Sequence, residues 1–116
     1  MTPLKVVRTI RAEILNNPQR WIKGVHAEAL DGRPVEPTDP TARRWSLYGA
    51  IYPAGGSRLQ EDEFERLVSV MDHEAYRLAG RLGRRHLGYT AFNDAPQTTF
   101  DDIHALLRQV EARLTP

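Results

Sequence analysis

The sequence contains no cysteine. This absence excludes disulfide bonds and zinc sites with cysteine ligands. No apolar run approaches the roughly 18 residues that a transmembrane helix needs. Near the N-terminus, Lys5, Arg8 and Arg11 interrupt the apolar residues, a pattern that does not match a secretory signal peptide. From these absences we expect a cytoplasmic protein that does not insert into a membrane.

The chain also has little excess charge, with 16 basic and 15 acidic residues and a net charge of +1. A dedicated nucleic-acid-binding protein usually carries a clear basic excess, so the composition disfavours that class. Basic residues nevertheless cluster at Lys5, Arg8 and Arg11 and again at Arg84 and Arg85. Two local basic patches therefore leave nucleic-acid binding open as an alternative.

Hydrophobic periodicity predicts the helices at the two ends of the chain. The strongest pattern spans residues 58–82, where apolar residues recur at three- and four-residue spacings. Residues 2–17 predict a first helix that ends before Pro18, because proline disfavours helical geometry in the residue before it. Thr99 begins the last helix with a pattern that resembles a capping box.

A fourth helix is predicted in the middle of the chain. Asp39 is a typical cap and Pro40 a typical first helical residue, so we expect a helix from here to the Pro53 region. Trp45 should lie on its buried face. Gly49 weakens a helix interior, and we expect it to be tolerated because it makes a close contact with another helix.

A small β-hairpin is predicted over residues 25–36. Apolar and polar residues alternate at its start, and Asp31-Gly32 is a strong signal for a two-residue turn. Pro34 lacks an amide donor, so the returning strand should lie at an edge. About four helices and one hairpin in a single compact domain of residues 1–116 predict an α+β fold that is mostly α-helical.

Two stretches resemble a known family. Residues 31–51, DGRPVEPTDPTARRWSLYGAI, and residues 91–107, AFNDAPQTTFDDIHALL, resemble small bacterial and phage proteins that share a domain of unknown function. Members of that family carry a Gly-Arg-Pro-Val segment, a Trp followed by Gly-Ala on a helix, and an Asn-Asp-Ala-Pro motif before the final helix. Relatives often have cysteine after this Trp, where the present sequence has Ser46. The resemblance implies no particular activity.

The polar pair Asn93-Asp94 is the first candidate for chemistry. Asp94 could act as a base or ligand and Asn93 could orient a substrate, with His104 as an acid–base partner from the last helix. Turn chemistry explains the same residues, because Asn and Asp side chains bond to nearby backbone amides and Pro96 restricts its neighbour. We favour the second interpretation, in which the pair leads the chain into its last helix.

Other motifs for catalysis, metals or cofactors are missing. The histidines lack the spacing of a metal site, and Ser46 lacks the glycine-flanked elbow of a nucleophile, which makes it an ordinary helical serine. The segment 55–58, GGSR, lacks the lysine and the preceding strand of a phosphate-binding loop. We therefore expect no metal and no cofactor, and the sequence leans against an enzyme.

Aromatic and arginine side chains are the candidates for binding, since protein interfaces favour Trp, Tyr and Arg. The candidates are Trp21, Tyr48, Tyr52, Arg84 and Arg85. In the simpler interpretation, the two tyrosines form only a half-exposed helix ridge. The sequence predicts a small cytoplasmic protein-interaction module, and the family resemblance implies that a phage or another mobile element of bacteria encodes it. The alternatives are an enzyme or small-ligand binder that uses the Asn93-Asp94 loop, and a nucleic-acid-binding protein.

Overall fold

A computed structural model describes all residues, 1–116. The protein has five α-helices and one two-stranded antiparallel sheet, which confirms the predicted α+β, mostly helical class. The elements are α1 (Pro3–Thr9), which continues as a π-helix (Ile10–Ile14), β1 (Ala27–Glu28), β2 (Arg44–Trp45), α2 (Leu47–Ile51), α3 (Glu61–Arg81), α4 (Tyr89–Asp94) and α5 (Phe100–Leu114). None of the helices combines the length and the apolar content that a membrane crossing requires.

Helix α3 is the longest element and packs against α5, α4 and α1. Its apolar stripe is buried, including Leu67 and Met71, and these side chains join one continuous core with α1, α2 and α5. Thr99 begins α5 with a reciprocal capping box: its Oγ1 accepts the Asp102 amide, and Asp102 accepts the Thr99 amide. The predicted helices at both positions are confirmed.

Helix α1 begins where the sequence predicts. The Oγ1 atom of Thr2 accepts the Lys5 amide at 3.1 Å, and Pro3 is the first helical residue. The last turn widens into a π-helix, in which the Leu15 amide bonds to the Ile10 carbonyl at 2.8 Å. The helix ends before Pro18, as predicted from the effect of proline on the preceding residue.

The predicted helix start at Asp39 and Pro40 is wrong. The Oδ1 atom of Asp39 accepts both the amide and the hydroxyl of Thr41, at 2.8 and 2.6 Å, and closes an isolated turn. Such local side-chain bonds compete with helix formation. The chain then extends into β2, and α2 begins only after Ser46, whose Oγ accepts the Gly49 amide at 3.1 Å. Ser46 therefore caps a helix and does not lie inside one.

Strand β1 pairs on both edges. The predicted hairpin of residues 25–36 accounted for one edge only and did not include the pairing with β2. Its named partner is β2, with Ala27 opposite Trp45 and Glu28 opposite Arg44. On the other edge Glu28 forms an isolated bridge with Pro34, and the turn predicted between them is present. The hairpin is thus a turn on the outer edge of β1, while the two-stranded sheet forms with a segment farther along the chain.

Gly49 makes the close contact that its position in α2 indicates, but the neighbour is not a helix. A Cβ atom on Gly49 would lie 1.9 Å from the His26 carbonyl oxygen and 2.8 Å from its carbon. The backbone before β1 therefore rests directly on α2. Trp45 is 6% exposed and belongs to the core, as predicted.

Candidate functional site

Asn93 is a buried polar residue whose side chain makes four hydrogen bonds, three of them to distant segments of the chain. It is 1% exposed. Its Oδ1 accepts the Trp21 indole Nε1 at 2.7 Å and the Leu47 amide at 3.1 Å, and its Nδ2 donates to the Ile22 carbonyl at 3.1 Å and to Asp94 at 2.8 Å. A carboxamide has two acceptor and two donor positions, and all four are occupied here. Asn93 therefore holds segments together and has no free bond to offer a substrate.

Asp94 lies at the end of α4 and is exposed. Its Oδ1 accepts the Gly24 amide at 3.0 Å as well as the Asn93 carboxamide. The pair thus ends α4. The sequence had predicted that it leads directly into the last helix, but α5 begins only at Phe100. The two side chains were expected to bond to nearby backbone amides of a turn. They bond instead to the backbone of Gly24 and Ile22, about seventy positions away.

Helix α4 was not predicted from the sequence, and α3 positions it. The Oδ1 atom of Asp72, on α3, accepts the Tyr89 amide at 2.9 Å at the start of α4. Gly88 permits this approach, since a Cβ there would lie 2.8 Å from the same oxygen. Asp72 in this way fixes the helix that carries Asn93 and Asp94.

A polar cleft of about 110 Å³ opens beside Asp94, between His26, Tyr48 and Thr90. The imidazole of His26 lies 4.5 Å from the Tyr48 ring, centroid to centroid. The histidine that shares this cleft with Asp94 is thus His26. His104, the histidine considered as its partner, instead bonds to the Leu15 carbonyl at 2.6 Å and does not line the cleft.

His26 and Tyr48 also form one wall of a second cavity, which we call the aromatic cleft. It has a volume of about 310 Å³ and is lined by His26, Glu36, Pro37, Thr38, Tyr48 and Tyr52. The two tyrosine rings lie 5.4 Å apart at 80°, and their hydroxyl oxygens are 2.7 Å apart. The loop opposite is held by the Trp45 indole, which donates to the Pro37 carbonyl at 2.8 Å.

Each of the two clefts is lined by one carboxylate and by no lysine or arginine side chain. Asp94 lines the polar cleft and Glu36 the aromatic cleft. Neither carboxylate takes part in an ion pair. Burial, followed by the hydrogen bond with Tyr48, raises the pKa of Tyr52 to about 12, so this hydroxyl is neutral near pH 7.

The other binding candidates are distributed over separate parts of the surface. Trp21 is half-buried, and its indole is committed to Asn93. Arg84 and Arg85 line a groove of about 720 Å³ beside the segment that follows α4. Arg84 is bonded to Asp102 at 3.0 Å, and Arg85 is exposed. Tyr48 and Tyr52 therefore share a cleft that the two arginines do not line.

The basic face of α1 is partly neutralised. Arg8 and Arg11 donate to the two carboxylate oxygens of Glu111, at 3.1 and 2.9 Å. The bond from Arg11, with a further one from Arg8, holds the pKa of the Glu111 carboxyl below its ordinary value despite the opposing effect of burial. Lys5 remains exposed beside them. This pairing reduces the charge that the patch presents to a phosphate backbone.

The residues of the aromatic cleft that sequence reasoning missed are His26 and Glu36. The alternation of residues 25–30 did carry a signal, because it places His26 on the opposite face from Ala27 and so on the surface. No local pattern brings Glu36 to the same place, since its position depends on the turn after β1 and on the bond from Trp45.

No group of three or more histidine, aspartate or glutamate side chains converges in a way that could hold a metal ion.

Comparison with known proteins gives a family without an assigned activity. No curated protein and no solved structure is similar enough to the chain to count as a match. A family model described as "Family of unknown function (DUF6197)" matches residues 1–113, and the chain therefore belongs to this family.

Proposed function

We propose that the protein is a protein-interaction module whose partner contacts the aromatic cleft. The observation that carries this proposal is the cluster of three surface aromatic rings, His26, Tyr48 and Tyr52, beside an open cavity. The proposal includes a cytoplasmic location. A bacterial or phage origin rests on the sequence resemblance alone.

Aromatic side chains of this kind are typical of interfaces. Tyrosine contributes a large, rigid contact area at a low cost in conformational entropy, and it is enriched at the positions that dominate binding energy. Tyr48 and Tyr52 are already ordered by their mutual hydrogen bond and by the packing of Tyr52 on Phe64, with ring centroids 6.1 Å apart. A partner would therefore find a preorganised surface and would not have to order it.

The two segments that carry His26 and Tyr48 are also held in place by contacts within the protein. The His26 backbone rests on Gly49, and α2 is capped by Ser46 and tied to Asn93 through the Leu47 amide. These contacts fix the two segments that carry His26 and Tyr48. An interface built on such elements keeps its geometry in the absence of a partner.

Site-specific photocrosslinking in the native cells tests the proposal. A photoreactive benzoylphenylalanine replaces Thr38, which is exposed at the rim of the aromatic cleft, and a second variant carries it at Arg108, exposed on α5. We expect a discrete protein adduct from position 38 that is absent from position 108 and is lost when Tyr48→Ala is added. Identical adducts from both positions, or none from position 38, would overturn the proposal.

A further inference from the structure

We propose that the aromatic cleft receives the guanidinium group of an arginine side chain from the partner. This inference rests on the proposed function, because it specifies the chemistry of the partner at the same surface. It would also make Glu36, which no sequence motif singles out, the residue that decides which partner is accepted.

The arrangement of the rings favours a cation. The imidazole of His26 and the ring of Tyr48 meet at 58°, and the rings of Tyr48 and Tyr52 meet at 80°. Rings at such steep angles do not stack flat on one another, so their faces point in different directions. The face of an aromatic ring carries negative charge density and attracts a cation that lies within about 6 Å of its centroid.

The fixed charges around the cleft have the same preference. Glu36 is exposed and has no ion-pair partner within the protein, and Asp94 lies on the far side of the His26 and Tyr48 wall. The protein has 16 basic residues, yet none of them lines either cleft. A positive group that enters the aromatic cleft would therefore meet the unpaired carboxylate of Glu36 and no lysine or arginine among the lining residues.

Arginine fits these features better than lysine. A planar guanidinium can stack on a ring and at the same time donate two parallel hydrogen bonds to a carboxylate, which an ammonium group cannot do. The cleft offers both kinds of partner, tyrosine rings and the Glu36 carboxylate. Its volume of about 310 Å³ lies at the lower end of small-molecule pockets, which suits a side chain inserted from a larger partner.

Titration of the isotope-labelled protein with short peptides tests the inference. The probes are three end-blocked pentapeptides in which glycines flank a central residue. The central residue is arginine in the first peptide, citrulline in the second and lysine in the third. Citrulline keeps the shape of arginine and removes its charge. We expect the arginine peptide to shift the backbone amide signals of His26, Tyr48 and Tyr52, and the citrulline peptide to bind at least about fivefold more weakly.

Substitutions at two surface glutamates provide the matched comparison. Glu36→Gln should weaken binding of the arginine peptide severalfold, whereas Glu61→Gln, at an exposed position on α3, should leave it unchanged. The inference is overturned if the citrulline peptide binds as tightly as the arginine peptide, if the lysine peptide binds more tightly, or if neither perturbs the cleft.

The two proposals fail separately. A position-38 adduct together with no preference for arginine would leave the interaction module in place and remove only the arginine assignment. Selective binding of the arginine peptide without any protein adduct would show that the cleft binds a guanidinium group but would remove the protein partner, and with it the interaction module.

Discussion

The Nε1 atom of Trp21 lies 2.7 Å from Oδ1 of Asn93, although the two residues are 72 positions apart in the sequence. The same oxygen accepts the Leu47 amide. One buried atom thus joins the segment before β1, the start of α2 and the end of α4. These segments carry the residues that line the polar cleft, and two of them carry His26 and Tyr48 of the aromatic cleft.

Replacement of Asn93 by alanine should destabilise the protein by about 3 kcal/mol, because the buried Leu47 amide and the half-buried Trp21 indole would each lose their acceptor at a cost of roughly 1–3 kcal/mol. The free energy of unfolding, from urea titrations followed by circular dichroism, measures this loss. Asn16→Ala at an exposed position is the control and should change stability by less than about 0.5 kcal/mol. A loss below about 1 kcal/mol for Asn93→Ala would show that water satisfies these donors.

Gly49→Ala should destabilise the protein by about 3 kcal/mol or more, since the added carbon would collide with the His26 backbone, which cannot rotate away. The control is Gly32→Ala. Gly32 has a φ of +86° and open space around it, so its substitution should cost only about 1 kcal/mol from backbone strain. Thermal unfolding midpoints of the two variants give the comparison. Equal losses would contradict the close packing of α2 on the segment before β1.

Glu111→Gln should make the free energy of unfolding depend less steeply on pH in the acidic range, which we call the acid limb of the stability profile. The bond from Arg11 is the largest cause of the lowered pKa of Glu111, whose ordinary value is 4.5. At acidic pH the unfolded chain binds more protons than the folded one, so the stabilisation is complete above about pH 4.5 and is lost as the pH falls through the lower, folded pKa. The wild type should therefore lose more stability than the variant between about pH 6 and pH 3, by on the order of 1 kcal/mol or less.

Urea titrations at several pH values measure this difference, and Glu65→Gln is the control because Glu65 is exposed and has no ion-pair partner. The Glu65 variant should follow the wild-type profile. Parallel acid limbs for Glu111→Gln and the wild type would show that the two arginines do not stabilise the charged carboxylate.

Tyr48→Phe should lower the pKa of Tyr52 from about 12 but keep it above 10.0, because the hydrogen bond is lost and burial, the larger cause, remains. NMR of tyrosine labelled at the ζ carbon follows each phenol separately. In the wild type, folded Tyr52 keeps its proton after the unfolded chain has lost it, so stability should fall as the pH rises from about 10 through 12. The fall should be smaller in the variant. Tyr76→Phe, at an exposed site, should leave the Tyr52 titration unchanged.

Elements whose stabilising signals are local could be predicted from the sequence. The apolar spacing along α3, the capping box at Thr99 and the Thr2-Pro3 start of α1 all depend on residues within one or two helical turns. Neighbours along the chain therefore decide these helices, and the core forms where their apolar stripes meet.

The candidate site could not be predicted in the same way, because its bonds connect distant segments. Helix α4 has only six residues, and Asp72 on another helix supplies the acceptor for its first amide. Asp39 misled the prediction because the same side chain can cap a helix or close a turn, and the bond to Thr41 decides for the turn. His26 and Glu36 line one cleft only because β1 pairs on both edges.

The loops that the Asn93 bonds close also constrain when the candidate site can form during synthesis of the chain. Closing loops of 46 and 72 positions costs more chain entropy than forming a helical turn, so we expect these bonds to form after the helices. While a ribosome has released only the first half of the chain, the indole of Trp21 and the amide of Leu47 have no acceptor. The residues that line the aromatic cleft are all present by then, but the Asn93 bonds between the segments that carry His26 and Tyr48 form only when the segment with Asn93 has emerged.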